Sequence, residues 1–370
     1  MNGPVTIVRK RYRSRQQGET VYPLDAVLDL PRSEVTPGLA RRALHLGTQM
    51  SFVALQVELF EQHGVRVSDS TLDRLMQTVG GVANRDRREQ VAQLAALPPG
   101  VAREELLRVE EVEEVPQRLY ISCDGVMYPT RYREVDSVHC DRRRIQYQEM
   151  KTGTVFWQDR QEHWHKRVIY GRESSEQFGL ALWRLAGRCG MLVAREVIFI
   201  SDGGVWCDTV YKKYFRDATR ILDWYHLSEH VWDAGRELHP HDDAAVRRWV
   251  ATCLNILESS SGRGLLRHLQ TQRAAIENES DAAAKPLDAL IGYLEPRVAI
   301  TDYVAYRAAG YIIGSGMQES TCKQLVSGRL KGSGRQWSES GALAMTALIA
   351  HRLNGSWNRF WATRPQQRAA

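Results

Sequence analysis

From Ser51 onward the apolar residues fall at helical spacing: Phe52, Leu55, Leu59 and Phe60 mark one helix, which stops at Gly64. Ser68 is placed to cap a second helix carrying Leu72, Leu75, Met76 and Val79, and Gly80-Gly81 is expected to end it. With Val65 and Val67 filling the corner, the pair forms a helix-turn-helix pattern, which a plain helical hairpin in a core would also produce. Ser70, Arg74 and Gln77 lie on its outward face, a set suited to base edges more than to phosphate because only one of them is basic. Ahead of this region, residues 1–40 read as strands and turns punctuated by Pro23, Pro31 and Pro37. Behind it a third helical stretch breaks at Pro98-Pro99-Gly100. An acidic run (Glu104-Glu105, Glu110-Glu111, Glu113-Glu114) then leads to Pro116 and reads as a solvated linker.

Past Pro116 the period changes from 3.6 to 2. Leu119, Ile121 and Cys123 alternate with Tyr120, Ser122 and Asp124, so Asp124 sits inside a strand on the face opposite that apolar set. Strand-like runs follow at about 144–157 and 166–170, then an amphipathic helix from Ser175 to Cys189. The fully apolar Val197-Ile198-Phe199-Ile200 ends at Ser201-Asp202-Gly203-Gly204, a short helix spans about 208–215, and a last strand covers 220–224. Three strands, helix, strand, helix, strand is the order of the ribonuclease H-like fold. From there to about Gly310 the segments read helical, including 244–257, 264–275 and 287–294, as an insertion into the α/β unit.

Asp124 lies in the first strand, Asp202 at the end of the fourth, and Glu319 near the start of a helix opening after Gly314-Ser315-Gly316. The first and fourth strands of such a sheet are neighbours, and a following helix can bring Glu319 against them. Three crowded carboxylates repel unless a cation neutralises them. Magnesium fits, because it prefers oxygen ligands and completes its shell with water and phosphate. Two such ions serve phosphodiester cleavage and transfer, with manganese as a substitute. A rival motif lies nearby. His226-Leu227-Ser228-Glu229-His230 matches H-x-x-E-H, in which two histidines one turn apart bind zinc and a glutamate activates water. The other reading of His226 and His230, which needs no third ligand, is as hydrogen-bonding helix residues that orient adjacent strand ends, with no zinc.

Charge sharpens the choice of partner. The formal net charge is +6, yet the first 18 residues carry five basic residues and no acid, and eight basic residues follow Glu319 against Glu339 alone. Basic ends point to a polyanion, with double-stranded DNA leading. Arg9, Lys10 and Arg11 at one end, and Lys323, Arg329, Lys331 and Arg335 at the other, are the expected phosphate contacts. With 43% apolar and 25% charged residues the chain can fold, and no apolar run approaches the roughly 18 residues of a membrane span. Six scattered cysteines form no C-x-x-C pair, which fits reduced thiols in a cytoplasmic, nucleoid-associated protein. Trp357, Phe360 and Trp361 read as packing for the last helix.

Asp223-Trp224-Tyr225-His226, Glu229-His230-Val231, Ile313 to Ser320 and Arg329 to Ser338 closely resemble the ISKra-type (Kra-four group) bacterial insertion-sequence transposases. So do Pro23-Leu24-Asp25, Val79-Gly80, Ser122-Cys123-Asp124-Gly125, Glu149-Met150-Lys151 and Leu353-Asn354-Gly355 to Trp361, so the resemblance covers nearly the whole chain. It implies a ribonuclease H-like catalytic domain with a mixed five-stranded sheet, a DDE triad of Asp124, Asp202 and Glu319 that is both catalytic and metal-ligating, and site support from Asp223 and His226. It also implies cleavage and strand transfer at terminal inverted repeats and target DNA, by a homodimer or larger assembly. The paired N-terminal cysteines common in that family are missing, since no cysteine precedes Cys123 and Arg13-Ser14-Arg15-Gln16-Gln17 stands in the region where they belong. An inactive, transposase-derived DNA-binding protein is therefore the first alternative, and a zinc peptidase the second. The expected domains are a basic strand and turn segment (1–45, a degenerate or truncated ribbon), the helix-turn-helix region (46–97), a linker (98–116), the catalytic domain (117–226 and 311–370) and the all-α insertion (227–310).

Overall fold

The computed structural model describes residues 6, 8, 10–13, 20–27, 35–98, 100, 101, 104, 108–134, 142–276, 281–332 and 334–363. Arg9, Ser14 to Gln17, Pro31, Glu105 and Cys140 fall outside the described residues.

Residues 12–13 pair with 20–21 as a two-residue antiparallel ladder, and a helical turn covers Pro23–Val27. Helix α1 (Pro37–Gly47) then opens on Pro37 behind a Thr36 cap, so the strand-and-turn expectation gives way to helix at 23–27 and from Pro37 onward. Proline is tolerated in a first turn, where its missing N–H costs nothing. Helix α2 (Phe52–His63) is capped by Ser51 and stopped by Gly64 at φ 64°, as the pattern predicts. Helix α3 begins behind Ser68 but does not end at Gly80-Gly81. It runs unbroken over Asp69–Ala96.

The reason is packing. Gly80 faces the backbone of helix α11 (Glu339–Leu353, below), and a Cβ there would overlap the Ala344 carbonyl. The glycine permits a close helix crossing instead of terminating a helix. Gly81 has open space where its Cβ would be. Gly80→Ala is expected to lower stability by about 3 kcal/mol. Gly81→Ala should be neutral or stabilising by up to about 1 kcal/mol. Chemical denaturation of the two variants checks the pair, and equal effects would contradict the crossing.

The sheet has five strands: β1 (Arg118–Glu134), β2 (Arg142–Gln158), β3 (Trp164–Gly171), β4 (Glu196–Ser201) and β5 (Thr219–Leu222). Their spatial order is β3-β2-β1-β4-β5. The first three are antiparallel neighbours, whereas β4 joins β1 in parallel and β5 joins β4 in parallel. Helices α4 (Ser175–Arg188) and α5 (Val205–Tyr214) are the crossovers. They cover one face, where Leu119, Ile121, Cys123 and Phe199 meet Phe178, Leu182 and Val210.

The other face carries two blocks. Helices α6 (Trp224–Leu238), α7 (Asp243–Ala274) and α8 (Asp281–Leu294) pack on Tyr120, Phe156, Ile198 and Ile200. The two helices expected at 244–257 and 264–275 are one span broken at Ser261 (φ 57°, ψ −170°). That strained residue is held by its hydroxyl, which donates to Asp302 Oδ1 and accepts from Val304 N. A 3₁₀ turn (Glu295–Ile300) and α9 (Tyr303–Ala308) lead to α10 (Gly316–Cys322), after which the chain reaches α11 and α12 (Trp357–Thr363). α3 and α11 share the second block with Val126, Tyr128, Met150, Trp357 and Phe360.

The acidic stretch before β1 is not simply a solvated linker. Glu111, 10% exposed, pairs with Arg167, Arg188 and Arg359, which hold its carboxyl below the usual range despite burial.

Candidate active site

The pairing register places the acids. Leu119 to Ser122 lie opposite Val197 to Ile200, an offset of 200 − 122 = 78, and Asp124 and Asp202 differ by the same 78. Ile198 to Ser201 lie opposite Thr219 to Leu222, an offset of 222 − 201 = 21, as do Asp202 and Asp223. Three aspartates therefore stand in one row across three adjacent parallel strands, Asp124 partway along β1 and Asp202 and Asp223 just past the ends of β4 and β5, with neighbouring strands about 4.8 Å apart. The Asp223 N–H donating to Ser201 O at 2.9 Å keeps the row ordered past the last ladder pair.

Each aspartate is held differently. Asp124 Oδ1 accepts from its neighbour Gly125 N at 2.6 Å, and Oδ2 accepts from the Cys322 thiol at 3.5 Å. Burial, then the charge of Asp202, raises its pKa. Asp202 Oδ1 accepts from Gly204 N at 2.9 Å, at the start of α5, and Gly203 at φ 77° makes that turn. Its carbonyl accepts from the Tyr293 hydroxyl at 2.9 Å. Asp223 is 5% exposed and caps α6 through Tyr225 N. It also accepts from Ser315 N (3.0 Å) and Ser315 Oγ (2.5 Å), which ties it to the residue before α10.

A second clamp fixes α10 to the sheet. Gln318, 1% exposed, accepts from Thr154 Oγ1 at 2.6 Å and donates to Thr152 Oγ1 at 2.8 Å. Thr152 in turn donates to the Asp124 carbonyl at 3.0 Å. The Cys322 thiol, pushed up to about 12 mainly by burial, completes this patch. Sequence reasoning missed Gln318, Cys322 and Thr152. The signal available was a Gln and a Cys four apart on a helix beside a candidate acid.

Glu319 sits on α10 one residue from Gln318, with its N–H bonded to Ser315 O, but its side chain is exposed. Among the described residues, no group of three or more His, Cys, Asp or Glu side chains is arranged to hold a metal ion. The pairing register thus aligns Asp124 and Asp202 with Asp223, while the Glu319 side chain is exposed.

His226 and His230 lie one turn apart on α6 with ring centroids 5.0 Å apart. His230 packs on Tyr293 at 3.9 Å, and burial lowers its pKa. His226 Nδ1 is 3.6 Å from Glu229 Oε2.

The expected DNA contacts divide. Ser70, Arg74 and Gln77 are exposed on α3, as are Lys10, Arg11, Lys323 and Lys331. Arg329 is only 4% exposed, enclosed by Phe52, Trp337 and the Gly47 carbonyl. Arg335 is half-buried, and its Nη1 donates to Gly328 O at 2.6 Å.

Among the described residues, no helix is long and apolar enough to cross a membrane. A family described as "Uncharacterised protein family (UPF0236)" matches residues 191–366. A comparison with curated proteins found no match. Among solved structures, the chain is similar to one from the Drosophila P element transposase strand transfer complex, at 10% identity and a TM-score of 0.32, covering 92% of this chain and 83% of that one. A likeness at that level carries no argument.

Proposed function

We propose that this chain is a DNA transposase of an insertion sequence, of the ISKra type, which cuts and joins phosphodiester bonds at element ends with Asp124, Asp202 and Glu319. The observation that carries the reading is the row of aspartates in register across adjacent parallel strands. Two acids on neighbouring strands, one of them buried enough to feel the other's charge, form a donor set suited to a hard cation. Asp124 and Asp202 would hold magnesium, and Glu319 would join them once α10 meets DNA. When bound, the cation supplies Lewis acidity at the phosphate. The protein's own part is positional. Asp223 through Ser315, and Gln318 through Thr152 and Thr154, hold α10 against the strand bearing Asp124.

In this reading the sheet with α4, α5, α10 and α11 is a ribonuclease H-like catalytic domain, α6 to α9 are its helical insertion, and α2 and α3 are the helix-turn-helix that recognises terminal repeats, working as a dimer or larger assembly. The second reading, an inactive DNA-binding descendant, rests on the absence of any cysteine before Cys123.

One assay separates the readings: incubation of the purified chain with duplex carrying the element's flanking sequence, with magnesium and with chelator, alongside metal analysis. The expected result is nicking with magnesium, none with chelator, and no stoichiometric zinc. DNA binding without nicking would establish the inactive reading. One zinc per chain, lost in His230→Ala, would move the assignment to a hydrolase built on His226 and His230.

A further inference from the structure

Among the described residues, Arg329 is the most deeply buried charged side chain, and its burial serves nothing described so far. It follows the π-helical turn Lys323–Ser327, and its Nε donates to Gly47 O at 2.7 Å. Its guanidinium carbon lies 5.4 Å from the rings of both Phe52 and Trp337. Among the described residues no carboxylate pairs with it, and neither terminal nitrogen has a hydrogen-bond acceptor. An enclosed cation without a counter-charge is costly, and here burial and the charge of Arg335 pull its pKa down to about 10.

Arg329 lines a cleft of about 370 Å³. First turns of three helices converge on that cleft: Ser51 to Val53 of α2, Asp69 and Ser70 of α3, and Ser338 and Gly341 at the start of α11. Helix starts present free N–H groups and a positive dipole end, which suits an anion. Arg131 and Arg335 line the same space. Asp69 and Asp73 form the opposing wall, where Asp73 is engaged by Gln77 Nε2 at 2.7 Å. The cleft thus opens beside Ser70 and Gln77, on the exposed face of α3.

We infer that this cleft is a seat for one backbone phosphate of bound DNA, held by Arg329 with the first turns of α2 and α11. The inference rests on the DNA-binding part of the proposed function and adds where the strand is gripped. A phosphate here has its charge matched by a planar guanidinium able to bind two oxygens, and its adjoining nucleotides run onto α3. Because the pocket is built jointly from residues near 52 and near 329, one phosphate locks the recognition helices to the segment that follows Glu319.

The test uses the full chain and a labelled duplex, titrated by fluorescence anisotropy over a range of salt. Arg329→Gln is expected to weaken binding about tenfold or more and to reduce the slope of log K against log salt by about 1. Val53→Glu places a negative charge at the mouth, on a side chain that is 63% exposed. It should reproduce the loss without touching the core, so misfolding of the Arg329 variant cannot decide the matter. Slopes and affinities equal to the parent in both variants would overturn the proposal. Inorganic phosphate at constant ionic strength provides the second arm. If it raises the parent's melting midpoint and neither variant's, while both variants keep the parental DNA slope, the cleft takes free phosphate and the DNA assignment falls. Reduced slopes in a protein that never nicks DNA would remove the transposase reading and leave this site standing.

Discussion

Replacing Asp124 with Asn is expected to abolish strand cleavage and, in the metal-free protein, to raise the melting midpoint. Burial and the neighbouring charge of Asp202 both disfavour ionised Asp124, so its pKa is raised in the folded state. A carboxylate with a raised folded pKa destabilises the native state at pH values above that pKa. Asparagine keeps the shape and removes the charge, so the variant is expected to be the more stable protein at neutral pH. The gain should shrink as pH falls through the folded pKa and vanish below the unfolded value near 4. Activity moves the other way. If the acid helps hold the cation that stabilises charge at phosphorus, its loss removes several kcal/mol from the transition state, about a thousandfold or more in rate. Melting curves at pH 7 and pH 4, set beside a nicking assay, check both halves. A variant that melts lower and still cuts would contradict the row's catalytic role.

Asp223→Ala is expected to damage stability and rate together while leaving DNA affinity nearly unchanged. The substitution removes the cap of α6 and strands the N–H and hydroxyl of Ser315. Loss of a cap and of buried charge-assisted hydrogen bonds amounts to about 2–4 kcal/mol. Because Ser315 leads into α10, Glu319 should lose its placement, so turnover falls whereas the helices near residues 52–96 keep their grip on DNA. Asp223→Asn, which retains one acceptor for the N–H groups, should recover part of the stability and less of the rate. Denaturant melts and single-turnover nicking resolve the two effects. An unchanged rate in a destabilised Ala variant would reduce Asp223 to a helix cap.

Much of the sheet was legible because alternation of Leu119, Ile121 and Cys123, and the unbroken run Val197 to Ile200, are strong signals when one face or both faces are buried. Asp124 and Asp202 could be placed for the same reason, and their spacing of 78 proves to be the pairing register itself. Asp223 belongs to the same pattern, since each of the three strands leads into an aspartate, yet its role depends on Ser315, 92 residues away. Non-local contacts of that kind leave no periodic trace. Gly80 misled for a related reason, because a glycine that ends a helix and one that admits another backbone look alike until the partner, Ala344, is known. The burial of Arg329 was equally invisible, as its enclosure comes from Gly47 and Phe52, far upstream.

The Asp124 carboxylate meets Cys322 across 198 residues, and Thr154 meets Gln318 across 164. During synthesis this has a temporal meaning. The strands carrying Asp124 and Asp202 can pair long before α10 leaves the ribosome, and contacts of such separation form late and slowly. A nascent chain therefore carries β1 and β4 while α10, and the α11 helix against which Gly80 packs, are still unmade. A chain cut short before α10 would lack the Gln318 and Cys322 contacts to the sheet and the α11 crossing at Gly80, so the aspartate row and the packing of α3 are completed only when residues 316–353 have been made.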